Sequence, residues 1–320
     1  MLSTIYGNSA AEAYVDGLWK LRIEGKERET RNGPAITMPK PVHLIIGRPD
    51  RRVLFCAKRD ANPFFHCFEF LWMLARRNDA DCLAKYVPRI SNYAEDNGKI
   101  WGAYGVRWGK QIETVIDVLR KDPTTRQAVV TMWDQELDLT TAPLRDRPCN
   151  THIYLTIEDD VLVMRVMNRS NDFIWGMLGA NVVHMTMLME VIAHQVGVPM
   201  GRYEVISNNL HMYKDIPRFE ERFNTLVVND PYRTQEVSSF PVLQGDETLA
   251  DLRADAVAFC NDDFPPYHTK FVREVAHPMR EAWYDRTVES ARAIQASDWR
   301  RACQEWIMRR KEEPAREALQ

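Results

Sequence analysis

Two strand-like apolar runs near the middle of the chain predict a β-hairpin. They cover residues 152–157 and 161–167, and the acidic turn Glu158-Asp159-Asp160 joins them. Antiparallel strands return the chain to the point where it started, so the residues before the first strand should lie beside those after the second. The flanking segments, R-P-C-N-T at 147–151 and N-R-S-N-D at 168–172, are therefore predicted to share one end of the hairpin.

Helical periodicity and strand-like runs predict further elements on both sides of this hairpin. Residues 1–27 are predicted as a helix that the turn residues of 28–34 end, and residues 91–108 as a loop system walled by aromatic side chains. The other predicted elements are strands near 42–46, 52–57, 128–133 and 203–206 and helices starting at Pro63, Gln111 and Val182. A catalytic domain is expected over residues 1–245, with a charged C-terminal helical extension over residues 246–320.

Composition and charge narrow the class of protein. The 320 residues are 45% hydrophobic, which is normal for a globular protein with a sizeable core. A formal charge of −3 gives no reason to expect a nucleic-acid or membrane-surface protein, so an anionic ligand would have to meet a few placed arginines. The six cysteines show no C-x-x-C or zinc-like spacing, so no metal site is predicted. Without a signal peptide at the start, a reducing cytoplasmic location is expected.

One carboxylate interrupts the apolar helix that begins at Pro63. Glu69 lies among Phe65, Phe68 and Trp72. An ionised carboxylate in such surroundings is costly, so it should be paired, hydrogen-bonded or raised in pKa. Carboxylates of this kind are often catalytic, although a glutamate on the helix surface is the simpler alternative.

Six motifs between about residues 28 and 220 resemble those of the thymidylate synthase family, which includes pyrimidine-nucleotide hydroxymethylases. They follow the family's order and nearly its spacing. The matching residues are Glu69; Asn97, Gly98, Tyr104 and Gly105; Asp122, Pro123 and Arg126; Pro148 and Cys149; Arg169, Ser170, Asp172 and Gly176; and His211 and Tyr213. The resemblance implies an α+β fold with a mixed β-sheet packed with helices and a homodimer formed through the sheet.

The resemblance also implies the roles of the catalytic groups. Cys149 would add to C6 of a pyrimidine ring, which makes C5 nucleophilic, and a nearby Arg169 would favour the thiolate. Glu69 would carry out proton transfers around C5, and Tyr104 would also be a catalytic residue. Asp172 would hydrogen-bond the pterin of the co-substrate 5,10-methylenetetrahydrofolate.

The implied substrate is a pyrimidine nucleoside monophosphate. Guanidinium groups fit phosphate oxygens well. By resemblance, the 5′-phosphate is held by Arg169, Ser170 and Arg31 and by Arg126 from the second subunit, and the sugar hydroxyl by His211 and Tyr213. Gln127 stands where the family usually has a second arginine, so that phosphate contact is missing here.

The residue that reads the base depends on alignment. Asn181 takes the family's base-reading position if one residue is inserted after Gly176; otherwise Ala180 falls there. An asparagine amide can donate to O4 and accept from N3–H of uracil, whereas cytosine-specific relatives use aspartate. Asn181 therefore favours a uracil nucleotide, with dCMP and CMP left open.

Three departures from the family pattern favour a hydroxymethyl product over a methyl product. Asn150 follows the nucleophile instead of histidine, Ile90 replaces a loop tryptophan, and residues 312–320 form a charged tail in place of a short apolar one. Hydride from the folate would give a methyl group, whereas water entering a less sealed pocket would give hydroxymethyl. The alternative is thymidylate synthase-type methylation of dUMP or dCMP.

Plainer interpretations exist for several of these residues. Cys149 could be a buried thiol, Asp172 a turn cap, and His184 and His194 ordinary helix histidines. A catalytically silent nucleotide-binding homologue is a rival of another class, but Cys149 and Glu69 are both present. A thiol hydrolase is a second rival, and it would leave the arginine-serine cluster without a role.

Overall fold

Ten strands form two sheets in the computed structural model, which describes residues 2–312. The strands are β1 (Ser3–Gly7), β2 (Lys26–Thr30), β3 (Gly33–Thr37), β4 (Val42–Ile46), β5 (Val129–Thr131), β6 (Asn150–Glu158), β7 (Val161–Asn168), β8 (Asn171–Asp172), β9 (Met200–Ser207) and β10 (Leu210–Tyr213). Six form a mixed sheet in the order β1-β4-β9-β7-β6-β5, and four form a smaller sheet in the order β2-β3-β10-β8.

The central hairpin is confirmed. Strands β6 and β7 pair antiparallel from Glu158↔Val161 to Asn150↔Asn168, with an irregular register between Asn150 and His152. At the open end, the Arg169 amide donates to the Cys149 carbonyl at 3.0 Å. The two polar segments therefore do lie together at one end of the hairpin.

Helices cover the sheets and fill the core. They are α1 (Ala10–Glu24), α2 (Pro63–Leu74), α3 (Asp81–Ala84), α4 (Tyr104–Trp108), α5 (Gln111–Lys121), α6 (Gln135–Asp138), α7 (Asn181–Val196), α8 (Phe219–Phe223), α9 (Leu249–Cys260), α10 (His277–Asp285) and α11 (Ser297–Glu312). Short 3₁₀ segments occupy Pro88–Tyr93 and Ser290–Ala293, and wider π-helical turns precede α7 (Phe173–Ala180) and α10 (Val272–Ala276). The mixture of sheets and helices confirms the predicted α+β class.

Helices α2 and α7 form the centre of the core. The continuous helical run Phe173–Val196 is long and apolar enough to cross a membrane, but its most apolar window is 89% buried inside the protein. Eleven of the twelve residues of α2 are buried, and Glu69 is the exception. The apolar composition of α2 and α7 is explained by their burial inside the protein.

The C-terminal helices share this core. Phe64 of α2 makes edge contacts with Trp283 of α10 and Trp306 of α11, both at 5.4 Å between ring centroids. Phe68 packs on Phe259 of α9 at 5.1 Å. The extension therefore packs directly on the helix that carries Glu69.

Some predicted elements were wrong in detail. Residues 1–27 contain strand β1 before the helix, because Ser9 caps α1 by accepting a bond from the Glu12 amide. Residues 28–34 are mostly the β2–β3 hairpin, with its turn at 31–32. Residues 52–57 form no strand: Val53 and Phe55 are buried, but the segment has no hydrogen-bonded strand beside it. Residues 91–108 include part of a 3₁₀ segment and all of α4.

Candidate active site

The thiol of Cys149 lies half-buried just before β6, next to a guanidinium that is firmly held. Arg169 Nη2 is 3.9 Å from Cys149 Sγ. The same guanidinium donates from Nε to the Pro148 carbonyl and from Nη2 to the Arg147 carbonyl, each at 3.0 Å. It also lies over the Trp133 ring, 5.5 Å from its centroid. These anchors place a fixed positive charge beside the sulfur.

Burial and Arg169 act in opposite directions on this thiol. Burial raises the pKa of Cys149, and the smaller opposing effect of Arg169 does not overcome it. The carboxylates of Asp146 and Asp172 also raise it. Arg169 therefore favours the thiolate, in the direction expected from the sequence, but the net effect of the surroundings is a raised pKa.

Asp146 is a site residue that the sequence motifs did not indicate. Its Oδ2 accepts a hydrogen bond from the Gly102 amide at 2.9 Å, and burial raises its pKa. A Cβ on Gly102 would come within 2.5 Å of that oxygen and 2.7 Å of the Pro148 nitrogen. A glycine at 102 thus lets this loop pack directly against the segment that carries the nucleophile.

A polar cavity of about 350 Å³ opens beside the arginine. His211 Nδ1 lies 2.9 Å from Asn209 Oδ1, and the Tyr213 hydroxyl accepts a bond from Asn32 Nδ2 at 3.2 Å. Five of the predicted substrate ligands line this polar cavity: Arg31, Arg169, Ser170, His211 and Tyr213. Residues that are distant in sequence are brought together as the motifs indicated.

Tyr104 links the surroundings of the thiol to those of Glu69. Its hydroxyl accepts a long bond, 3.4 Å, from the Asn150 amide. Burial raises the pKa of Tyr104 well above its usual value, and negative charge on Cys149, Asp146 and Glu69 adds to the effect. The hydroxyl is therefore a neutral donor or acceptor between the thiol and the carboxylate.

Gly105 permits the close contact between α4 and α2. A Cβ on Gly105 would lie 2.0 Å from the Met73 carbonyl oxygen, so α4 can rest on the backbone of α2 only because residue 105 has no side chain. The contact holds Tyr104, the first residue of α4, against the helix that carries Glu69.

A second cavity, of about 300 Å³, has aromatic and cationic walls and is called the aromatic cavity below. Asp172 lies at its edge, where Oδ1 accepts bonds from the Ile174 amide at 2.7 Å and the Trp175 amide at 2.9 Å. Arg89 lies over the Trp175 ring at 5.0 Å. Its charged lining residues are Arg59, Lys85, Arg89, Arg222, Arg286, Arg310, Asp60 and Asp172, and the C-terminal helices contribute Trp283 and Trp306.

Two predicted ligands lie outside both cavity linings. Asn181 begins α7, and its Nδ2 is 3.5 Å from Asn171 Oδ1. The widened turn before it has non-helical backbone at Leu178 and Gly179. Arg126 is exposed ahead of β5, and its side chain has no hydrogen bond or ion pair with any residue in 2–312.

Sequence reasoning missed several groups that the fold brings to these cavities. Asn32 and Asn209 support the tyrosine and histidine of the polar cavity. Asn150, which the sequence did single out, is buried next to Cys149, and its Nδ2 is unpaired among the described residues. Asn32 follows Arg31, and Asn209 lies two residues before His211. This closeness to predicted ligands was the only sign in the sequence that the two asparagines belong to the site. Trp283 and Trp306 had none, because they lie more than 100 residues beyond the Asp172 motif.

Comparison with known proteins gives a consistent set of relatives. The family described as Thymidylate synthase matches residues 12–259. The chain is 35% identical to the deoxyuridylate hydroxymethyltransferase of Pseudomonas phage M6, over 97% of this chain and 95% of that protein. It is 32% identical to the enzyme of that name from Bacillus phage SP01, over 66% of this chain and 59% of that protein. A thymidylate synthase of Corynebacterium aurimucosum is 28% identical, over 63% of this chain and 78% of that protein.

Proposed function

The chain belongs to the thymidylate synthase family and is a folate-dependent one-carbon transferase, and on that premise we propose that it hydroxymethylates C5 of dUMP. The observation that carries the choice of reaction is the 35% identity, over nearly the whole chain, to a deoxyuridylate hydroxymethyltransferase. The fixed Arg169 beside the half-buried Cys149 thiol supports a covalent mechanism.

The nucleotide is proposed to bind in the polar cavity. Arg31, Arg169 and Ser170 line it on one side and offer two guanidiniums and a hydroxyl, which suits a phosphate. His211 and Tyr213 lie with ring centroids 4.8 Å apart and can bond a sugar hydroxyl. Cys149 does not line this cavity, but it lies next to Arg169, which does, and the base is therefore proposed to extend toward that sulfur.

The chemistry assigned to the residues follows from the weak nucleophilicity of C5. The Cys149 sulfur bonds to C6, and the electron pair of the C5–C6 double bond becomes available at C5. Methylenetetrahydrofolate, when bound, supplies a one-carbon unit at the oxidation level of formaldehyde. Glu69 removes the C5 proton once the new carbon–carbon bond exists, and its place on a buried helix keeps that carboxylate close to the ring. Loss of this proton would let tetrahydrofolate leave with the electron pair of its bond to the one-carbon unit, so that a methylene remains on C5. Water would add to this methylene, and the electron pair returned to C5 would re-form the C5–C6 double bond and expel the sulfur, which frees Cys149.

The aromatic cavity fits a folate. Its tryptophans suit a flat ring system, and six cationic side chains against two carboxylates suit an acidic tail. Asp172 uses Oδ1 for both amide bonds, so Oδ2 can accept a bond from a pterin. The proposed site is thus walled on its far side by Trp283 and Trp306 of the C-terminal extension.

A uracil base is proposed because of the chain's relatives and the wide turn before α7. The turn before α7 departs from helical geometry at Leu178 and Gly179, and an inserted residue there would align Asn181 with the base-reading position. The names of the similar phage enzymes point to the same base.

A homodimer with Arg126 supplied in trans is proposed from the exposed position of that side chain and its distance from the polar cavity lining. The outer face of the large sheet is available as the interface, with Tyr154 38% exposed beside an ion network of Arg165, Arg202 and Glu204.

The domain boundary near residue 245 and a cytoplasmic location are also proposed, and six free thiols support the cytoplasmic location.

Hydroxymethyl is preferred over methyl as the product. The polar, buried Asn150 lies beside the nucleophile, and Ile90 is buried where a tryptophan would seal the folate. Most of the charged tail, residues 313–320, lies outside the described residues. Methylation remains the second candidate because of the 28% identity to a thymidylate synthase.

Product mass tests the proposal. The enzyme is incubated with methylenetetrahydrofolate and dUMP, dCMP or CMP in parallel, with Cys149→Ser as the inactive control. We expect dUMP to gain CH₂O and no dihydrofolate to form. A gain of CH₂ together with dihydrofolate would reject hydroxymethylation, and turnover of dCMP or CMP alone would reject the assigned base.

A further inference from the structure

A buried histidine lies against the Glu69 carboxylate. His184 of α7 is 1% exposed, and its Nε2 is 3.1 Å from Glu69 Oε2. Helices α2 and α7 pack together in the core, so this contact joins the two central helices of the fold. The apolar pattern of α7 predicted an ordinary core histidine, and the contact with Glu69 is the added information.

These two atoms have no competing hydrogen-bond partners. Glu69 Oε2 and His184 Nε2 are both buried, and neither makes an aligned hydrogen bond to any group in residues 2–312. They lie within hydrogen-bond distance but out of alignment, and each is the nearest partner available to complete the other's hydrogen bond. Leaving both groups unsatisfied in the core would be destabilising.

The other ionisable groups around the pair do not replace this contact. His66 lies one turn before Glu69 on α2; burial lowers its pKa well below the usual value, and Arg59 and His184 add to that effect. It is therefore neutral. Arg59 donates to the Ile174 carbonyl. Negative charge on Glu69 raises the pKa of Tyr104 only as a minor contribution.

We propose that His184 is a positioning residue that holds the Glu69 carboxylate for removal of the C5 proton. His184 Nε2–H donates to Oε2, which fixes the carboxylate plane and leaves Oε1 to take the proton. The C5–H bond breaks and the proton moves to Oε1. Its electron pair forms the double bond from C5 to the one-carbon group, while the bond from that group to the folate nitrogen breaks and tetrahydrofolate leaves with the electron pair of that bond. This role rests on the proposed C5 chemistry.

Two substitutions at residue 184 test the role. His184→Phe keeps a flat ring without a donor, whereas His184→Gln keeps an amide donor. The readouts are kcat and KM for dUMP and the primary isotope effect with 5-deuterio-dUMP. For His184→Phe we expect kcat to fall about 10- to 100-fold, KM to stay within about twofold, and the isotope effect to rise. His184→Gln should recover part of kcat.

A matched control and a trapping experiment separate positioning from folding. His194→Phe changes a partly exposed histidine in the last turn of the same helix and should leave every readout unchanged. With 5-fluoro-dUMP the fluorine cannot leave as a proton, so His184→Phe should still form the covalent adduct if its site is intact. In a Glu69→Gln background, His184→Gln should cause little further loss.

The outcomes are distinct. An unchanged isotope effect in a His184→Phe protein that still forms the adduct overturns the positioning role. Equal loss in the Phe and Gln variants, with adduct formation also lost, overturns it in favour of core packing. If the unaltered enzyme instead fails to convert dUMP, it is the proposed function that has failed.

Discussion

The polar cavity and the aromatic cavity differ in how much of the chain builds their walls. The polar cavity takes its lining from four short segments, residues 30–32, 144–147, 169–170 and 209–213. The aromatic cavity draws on residues from Arg59 to Arg310, and its tryptophans come from both the catalytic sheet region and the C-terminal helices. The polar cavity is formed by strand ends and one hairpin, whereas the aromatic cavity depends on packing between helices that are distant in sequence.

This difference separates the parts of the enzyme that are proposed to bind the nucleotide from those that are proposed to bind the folate. Groups at strand ends are held by the sheet ladder, so the polar cavity should keep its shape when the extension is perturbed. The aromatic cavity shares Trp283 and Trp306 with the core around Phe64, so its shape and the stability of the extension are coupled.

The largest effect is expected at the nucleophile. Cys149→Ser removes the sulfur and should lower turnover at least about 10³-fold, because the covalent route is lost. Nucleotide affinity, measured by calorimetry, should change by less than about threefold, since Arg31, Arg169 and Ser170 are untouched. Retained turnover would contradict a covalent mechanism and remove the distinction between the two cavities.

Arg126 tests whether the polar cavity is completed by a second chain. Arg126→Ala should raise KM for the nucleotide about 10- to 100-fold, the effect of one charge-assisted phosphate bond. Mixing it with Cys149→Ser should restore activity to about one quarter, because about half of the mixed dimers are hybrids and each hybrid has one intact site. Mixtures that stay inactive while exchanging subunits would place Arg126 in its own chain's site.

The thiol should react slowly with alkylating reagents. Because burial raises the pKa of Cys149, iodoacetamide should modify it several-fold more slowly than a free cysteine at neutral pH. The rate should keep rising as pH increases past the normal thiol pKa, since more thiolate forms there. Arg169→Leu should shift that rise to still higher pH. Rapid modification at neutral pH, followed by peptide mapping to Cys149, would show that the arginine outweighs burial.

The smallest effect is expected from changing a tryptophan that the C-terminal extension contributes to the aromatic cavity. Trp283→Phe should raise KM for methylenetetrahydrofolate about threefold, with KM for dUMP unchanged, because part of an aromatic face is lost. Trp299→Phe is the matched control: it is a buried tryptophan in the same extension but does not line the aromatic cavity. Equal effects of the two changes would mean that the extension acts only through stability.

The two cavities also differ in how well sequence alone predicts them. The hairpin, α2 and α7 were predictable because long apolar runs specify them, and the polar cavity followed because its ligands sit in local motifs at strand ends. Strand β1 was missed because five residues of alternation run straight into a helix. Asp146, His184, Trp283 and Trp306 carry no local signal, and their proximity arises from packing between segments far apart in the chain.

The close contact at Gly105 limits which substitutions this enzyme can accept. With 2.0 Å between a notional Cβ and the Met73 oxygen, even an alanine would push α4 off α2 and carry the Tyr104 hydroxyl with it. The proposed ligands of the phosphate, sugar and base are separate side chains that can be substituted one at a time. A side chain at residue 105 would instead displace a whole helix, so we expect any variant that keeps the Tyr104 hydroxyl at the Asn150 amide to keep glycine there.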